Sequence, residues 1–214
     1  MASPVRSTRP RIEQPAQTGV SVATFTMHGV APYSQSAMLP EKPKKEDHDA
    51  FDARVWREHT HVNDAGQIVL PAMALKKAIQ GAAGMLKERI PGKGQATWTK
   101  LIVSGLLILE DMPLADEDGA PIMKDAVEMW AGYMNSGGKA GVGARVMRRF
   151  PVIPTGWQTT ATVTVVNPAL PAEVVRQHVE EAGRFVGCGR WRAEVGGMYG
   201  RFIVRNWVWS ALEE

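Results

Sequence analysis

The stretch from residue 158 to residue 209 constrains this chain most, because three different periodicities follow one another there without a gap. Residues 158–166 alternate, with Ala161, Val163 and Val165 on one face and Thr160, Thr162 and Thr164 on the other, the period of a half-buried strand. Asn167, Pro168 and Pro171 make a turn. Residues 172–185 then place Val174, Val175, His178, Val179, Ala182 and Phe185 on one helical stripe. A glycine-rich loop occupies residues 187–200, and residues 201–209 read as a closing strand. Strict alternation puts Arg201, Ile203, Arg205, Trp207 and Trp209 on one face of that strand. Phe202, Val204 and Val208 take the other, the natural core side.

The first half follows the same logic. Residues 20–28, rich in Val, Thr and Phe, predict a strand. Residues 29–66 are polar and carry Pro32, Pro40 and Pro43, so they read as an insertion with one short helix near 49–58. Residues 67–70 make a short strand. Pro71 opens a helix that turns Leu75, Ala78, Ile79, Ala82 and Leu86 inward. Residues 97–109 predict a strong strand. A second insertion covers 110–144, with a helix expected over 123–134 and a basic glycine loop after it. Residues 145–153 predict a strand that ends at Pro154. Two strand–helix–strand halves give an α+β fold with a ferredoxin-like, RRM-like βαββαβ core. The helices cover one face of its sheet and leave the other open, a face on which such sheets bind nucleic acid. The expected plan is one domain over residues 19–209, a disordered arm over 1–18 and a tail over 210–214.

Composition removes several classes. No apolar run approaches the ~20 residues of a membrane span. Arg6, Arg9 and Arg11 have no apolar run behind them, unlike a secretory signal. Cys188 is the only cysteine, which excludes an internal disulfide and a cysteine-based zinc site and suits a reducing cytoplasm, here that of a bacterial host cell. The net charge is only +3, but it is unevenly spread. Glu110, Asp111, Asp116, Glu117, Asp118, Asp125 and Glu128 face Lys124 alone, whereas residues 136–150 carry Lys139, Arg145, Arg148 and Arg149 with no acid. Such asymmetry predicts a basic face.

The basic residues fall among glycines and aromatics. Gly187, Gly189, Gly196, Gly197 and Gly200 permit positive φ and close approach of backbone to a ligand. Arg190, Arg192 and Arg201 supply fork donors for phosphate. Trp191 and Tyr199 offer ring planes on which bases stack, at about 1–3 kcal/mol each. The loop follows a helix and precedes a strand, the reverse of a dinucleotide fingerprint. Arg205, the segment with Lys139, Arg145, Arg148 and Arg149, and Lys76 and Lys77 near a helix N-terminus extend this strip. The expected ligand is single-stranded DNA or RNA, coated by a homo-oligomer or filament of side-by-side subunits, with no cofactor and no metal. His48 with Asp47 and Asp49, and His59 with His61, match no recognised metal spacing. No nucleophile elbow, P-loop or zincin motif is present, so no enzyme is expected. Two alternatives stand beside this reading. One is a metal-independent ribonuclease using His28 or His48 as general base. The other is a phage structural protein whose tryptophans and basic loops bind a partner. His178 reads as a packed core histidine, and Cys188 as a small buried filler.

The segments LPAMALKKAIQGAA (70–83) and GRFVGCGRWRAEVGGMYGRFIV (183–204) resemble the RAMP superfamily, which includes backbone and RNA-processing subunits of CRISPR effector complexes. The resemblance implies a ferredoxin-like core, a proline-led helix after an early strand, a thumb-like insertion at 29–66 and a glycine-rich loop before the last strand. It also implies single-strand binding, with the loop mapping onto Gly187, Gly189, Gly196, Gly197 and Gly200. The run PGKGQATWTK and the G-R-F-V-G-x-G-R-W-R ending are similar to small tailed-bacteriophage proteins of the same layout.

Overall fold

The computed structural model describes residues 19–135 and 143–212; the arm expected over 1–18, Lys139 and the last two residues lie outside them. The fold is α+β with antiparallel sheets. In chain order it runs β1 (Ser21–Gly29), β2 (Tyr33–Ser34), α1 (His48–Val55), β3 (Val69–Leu70), α2 (Ala72–Leu86), α3 (Thr99–Gly105) and β4 (Leu106–Leu107). It continues with β5 (Met112–Pro113), β6 (Glu128–Asn135), β7 (Arg145–Ile153), β8 (Gln158–Val165), α4 (Ala172–Glu181) and β9 (Phe202–Ala211). No described helix is long and apolar enough to cross a membrane.

The main sheet has the order β4-β8-β1-β9, every neighbour antiparallel. β1 alternates strictly, so Ala23, Phe25 and Met27 are buried while Val22, Thr24, Thr26 and His28 face away. α2 and α4 cover the buried face. α2 turns Leu75, Ala78, Ile79 and Ala82 inward as their spacing predicts. Its first free N–H, that of Ala72, donates to Asp111 Oδ1 at 2.8 Å, so a carboxylate of the chain itself already sits at the positive end of this helix. α4 buries Val175, His178 and Val179, with His178 Nδ1 2.7 Å from Val174 O, a core histidine as expected. A π turn, Ala182–Val186, follows. The wider turn shifts the stripe by one position: Val186 is buried, and Phe185, expected inside, is outside.

β9 departs from its expected pattern. Asn206 has φ 52°, and the register with β1 shifts between Thr24 and Thr26. Two residues, Asn206 and Trp207, therefore oppose the single Phe25, a β-bulge that reverses the alternation beyond it. Phe202 and Val204 face inward, and Arg201, Ile203 and Arg205 outward, as read from sequence. Past the bulge, Trp207 and Trp209 turn to the core and Val208 to solvent. Trp207 stacks on Phe25 with ring centroids 5.2 Å apart. Asn tolerates the left-handed region at small cost, and its Nδ2 donates to Thr26 Oγ1 at 3.3 Å.

Two further expectations are overturned. Residues 97–109 form a helix and only a two-residue strand, because Trp98, Ile102 and Leu106 lie four apart and are all buried, and Thr99 Oγ1 ties α3 to α2 by donating to Ala83 O at 2.8 Å. Short β-branched runs suit either structure until packing decides. Residues 123–134 form a 3-10 turn and then β6, which pairs with β7 along its whole length, Glu128 opposite Val152 to Asn135 opposite Arg145. Cross-strand packing outweighs local propensity here: Trp130 stacks on Phe150 at 4.5 Å. β2, β7 and β6 make a second sheet, and β3 pairs with β5 outside the main one.

The insertion at 29–66 carries its short helix as expected, capped by Asp47, whose carboxylate accepts from Asp49 N at 2.8 Å. It is more integrated than its polarity suggests. Tyr33, Ser34, Gln35, Asp52 and Thr60 are buried. Gln35 Nε2 donates to Val69 O at 2.6 Å, while its Oε1 accepts from His61 N at 2.7 Å.

The bulge is testable by denaturant unfolding. Asn206→Gly is expected to leave stability within about 0.5 kcal/mol of wild type, whereas Asn206→Val, which must hold a β-branched residue at positive φ, loses about 2 kcal/mol.

Candidate nucleic-acid interface

The glycines of residues 187–200 serve the loop's own packing first. A Cβ on Gly200 would stand 1.8 Å from Cys188 O, and one on Gly197 1.9 Å from Trp191 O. A Cβ on Gly189, at φ +80°, would meet Ser34 O at 2.2 Å. The loop is thereby pressed onto itself and onto β2, and Arg190 N donates to Ser34 O at 2.8 Å. Gly196 alone of the five has open space beside it. Cys188 is enclosed by these contacts, and burial pushes its thiol up to about 12, the chemistry of a filler.

Three elements converge on this loop. Trp191, itself at φ 51°, meets Trp130 of β6 at 4.7 Å and Phe150 of β7 at 4.9 Å, both edge-on, and Tyr199 at 5.7 Å. The ring expected to stack on bases is thus engaged inside the fold and pins the β6–β7 hairpin to the loop. Arg190 lies over the Phe150 ring at 4.5 Å, and its Nε donates to Ser36 Oγ of the insertion at 2.8 Å. Ring face, hydroxyl and backbone together hold its guanidinium in one place. Arg148 stands two residues from Phe150 on the same face of β7. Next to it, Arg149 N donates to Asp52 Oδ2 at 2.5 Å and the Arg149 side chain pairs with Asp49, while Arg148 lines a cavity with Asp47, His48 and Asp49.

Charge neutralisation separates the expected basic residues. Arg149 is paired with Asp49, and Arg192 with Glu194 at 2.8 Å. Arg148, Arg190, Arg201 and Arg205 have no carboxylate partner among the described residues. Arg148 and Arg190 are both half-buried, whereas Arg201 and Arg205 are exposed. Burial lowers the affinity of Arg190 for a proton, and Arg148 adds to that effect while Asp52 opposes it. A part-buried cation that feels the Asp52 carboxylate but makes no ion pair with it is an arrangement that a bound anion favours.

The remaining residues are dispersed. Arg145 is exposed toward the far end of β7. Lys77 lies on the helical line of Ala74 and Gly81; Cys188 Sγ approaches Ala74 O at 4.0 Å, and Gly81 sits under Glu194, so Lys77 borders the loop while Lys76 is turned away from that line. Arg201 and Arg205 stand on the open face of the main sheet. That face is poor in nucleic-acid chemistry: β1 and β8 present Thr24, Thr26, Thr160 and Thr162, with no aromatic ring between them. Its β8 side opens into a cavity of about 420 Å³ rimmed by Glu110 and Asp111. His28, on this face, is held below the usual histidine range by burial and by Arg205, with Glu117 opposing. Among the described residues no group of three or more His, Cys, Asp or Glu could hold a metal ion; Asp47 and Asp49 are occupied as cap and ion-pair partner. Ser36 and Phe150 carry no motif, and the sequence singles out His59 only as a metal-ligand candidate that matches no recognised spacing. Only the pairing of the hairpin and the fold of the insertion bring them to Arg190.

No protein-family model matches the chain, and no curated protein matches it in sequence. Solved structures do match. A chain of the Type III-B Cmr-beta structure, determined by cryo-EM bound to cognate target RNA, aligns with 90% of this chain at 7% identity and a TM-score of 0.51, this chain spanning 61% of that one. The crystal structure of Cmr6 from Pyrococcus furiosus aligns with 88% of this chain and 99% of its own at 13% identity and a TM-score of 0.47. In fold, this chain resembles that chain of the Cmr-beta structure. The structural likeness agrees with the resemblance carried by residues 70–83 and 183–204.

The loop's packing predicts a contrast between two glycines. Gly189→Ala meets both strain and a carbonyl oxygen and is expected to lose about 3 kcal/mol. Gly196→Ala, strained but uncrowded, loses about 1 kcal/mol. Thermal or urea unfolding of the two variants measures the difference.

Proposed function

We propose that this chain is a non-catalytic, single-stranded nucleic-acid-binding subunit with a ferredoxin-like core, working in a CRISPR-effector-like assembly, and that its strand is RNA. The observation that carries the proposal is Arg190, immobilised and unpaired where the glycine loop, the β6–β7 hairpin and the insertion meet. The order β4-β8-β1-β9 with crossovers through α2 and α4 is what a βαββαβ plan requires, with β4, β8 and β9 as its second, third and fourth strands. The likeness in fold to a chain of an RNA-bound Cmr structure favours RNA over DNA.

On this reading the strand crosses the junction, and its phosphates lie against Arg190 and Arg148. Sequence preference is weak, because such contacts address the backbone. Exposed Tyr133 and Met129 on the edge strand β6 leave that edge for a neighbouring subunit. A general acid–base pair needs two groups at one reacting atom. Here His28 lies on the open sheet face, His48 in the first turn of α1 and His59 at the junction, an arrangement that supports binding without cleavage.

Fluorescence anisotropy with labelled single-stranded RNA, single-stranded DNA and duplex DNA at two salt concentrations tests the proposal. Single-stranded RNA is expected to bind most tightly, with an affinity that falls steeply as salt rises. Arg148→Ala with Arg190→Ala is expected to weaken binding at least about tenfold, an amount of 1.4 kcal/mol or more. Arg192→Ala, already neutralised by Glu194, changes it less than about twofold. Equal affinity in wild type and the double variant overturns the assignment of the junction, and loss of intact RNA over hours overturns the non-catalytic reading.

A further inference from the structure

His59 lies beside the unpaired arginines, and the backbone explains why. Ser36, whose hydroxyl accepts from Arg190 Nε, is followed by Ala37. Ala37 N donates to His59 O at 2.8 Å, and His59 Nδ1 lies 3.2 Å from Ala37 O. Adjacent residues thus anchor the guanidinium and the imidazole. The imidazole is half-buried, and among the described residues only its Nδ1 is engaged. With Nδ1 facing a carbonyl it must carry the proton there, so a neutral His59 presents the bare lone pair of Nε2.

We infer that Arg190, Arg148 and His59 form one phosphate-binding subsite in which His59 takes up a proton as the phosphate binds. The inference rests on the strand-binding reading for the source of the phosphate, but not for the chemistry. In the free protein the charged form of His59 is disfavoured by burial first, and then by Arg190 and Arg148. The Ala37 carbonyl and Asp52 oppose these effects. Of its near neighbours in sequence, Arg57 stacks on Trp56 and Glu58 pairs with Lys124, so neither answers the imidazole. The two arginines that depress its charge are the groups a phosphate would neutralise. A bound phosphate removes their repulsion and offers Nε2 an acceptor, and both changes favour the imidazolium. Since the bound state holds more protons than the free one, affinity rises as pH falls. The rise begins at the raised value of the complex and ends below the lowered value of the free protein.

The experiment follows His59 itself and the affinity together, on the full chain. Kd for labelled oligouridylate is measured from about pH 5.5 to 8, at constant ionic strength, for wild type, His59→Gln and the control His28→Gln on the open sheet face. The imidazole resonances are titrated by NMR with and without oligouridylate, and with inorganic phosphate. Affinity in wild type and His28→Gln is expected to rise toward low pH by at most about tenfold per unit for the one proton. His59→Gln is expected to flatten that rise while still binding at high pH, and the His59 titration is expected to move upward with either anion. Should oligouridylate bind with a pH dependence that His59→Gln leaves unchanged, and the His59 titration stay in place, the subsite is wrong and the strand-binding reading survives. Should no strand bind at any pH while inorganic phosphate still moves His59, the subsite stands and the strand-binding reading falls.

Discussion

The contact between Gly189 and the carbonyl oxygen of Ser34 holds the loop, the insertion and the β6–β7 hairpin together. No side chain fits there: a Cβ would sit 2.2 Å from that oxygen. The same oxygen accepts the Arg190 N–H. One carbonyl of the insertion therefore fixes both the path of the loop and the starting point of the arginine. The rest of the junction is built around that placement, including the Phe150 ring under the guanidinium, the Ser36 hydroxyl at Nε and His59, bonded to Ala37 one residue further along. Glycine's freedom is used here to bring backbone to backbone, and the ligand chemistry is left to the side chains between the glycines.

The aromatic residues divide in the same way. Trp191, Trp130, Phe150 and Tyr199 form a cluster that joins the loop to the hairpin, while Trp207 and Trp209 belong to the main core. The basic residues divide by their partners. Arg149 and Arg192 are neutralised within the chain, whereas Arg148 and Arg190 are not. A net charge or a composition cannot make that distinction, because it depends on which carboxylates the fold brings within reach. The acidic stretch around Glu110 and Asp111 is likewise spatially separate: one of its carboxylates caps α2, and both rim the open face of the sheet. The acidic stretch therefore stands apart from the loop–hairpin junction, where Arg148 and Arg190 make no ion pair with a described carboxylate.

Much of the fold was legible from local pattern. The alternation of β1 and β8, the stripes of α2 and α4, the order strand–helix–loop–strand and the short helix of the insertion all reflect periods that need only a few neighbouring residues to be recognised. The failures share a cause. Residues 97–109 and 123–134 are short and compatible with either structure, and the choice came from partners far away in the chain: Ala83 for α3, and β7 for β6. The bulge at Asn206 is a single residue at positive φ, yet it exchanged the faces of Trp207, Val208 and Trp209.

The sequence by itself determined the α+β class, the two amphipathic helices, the glycine-rich loop and the supply of arginines around it. These depend on residue chemistry and on short-range spacing, which are present in the chain before it folds. Tertiary structure alone decided which arginines remain unpaired, which rings are free and which histidine stands beside Arg190. These depend on contacts between residues more than a hundred positions apart, such as Ser36 with Arg190. No local rule carries information over that distance, because the energy that selects those contacts comes from burying the whole core at once.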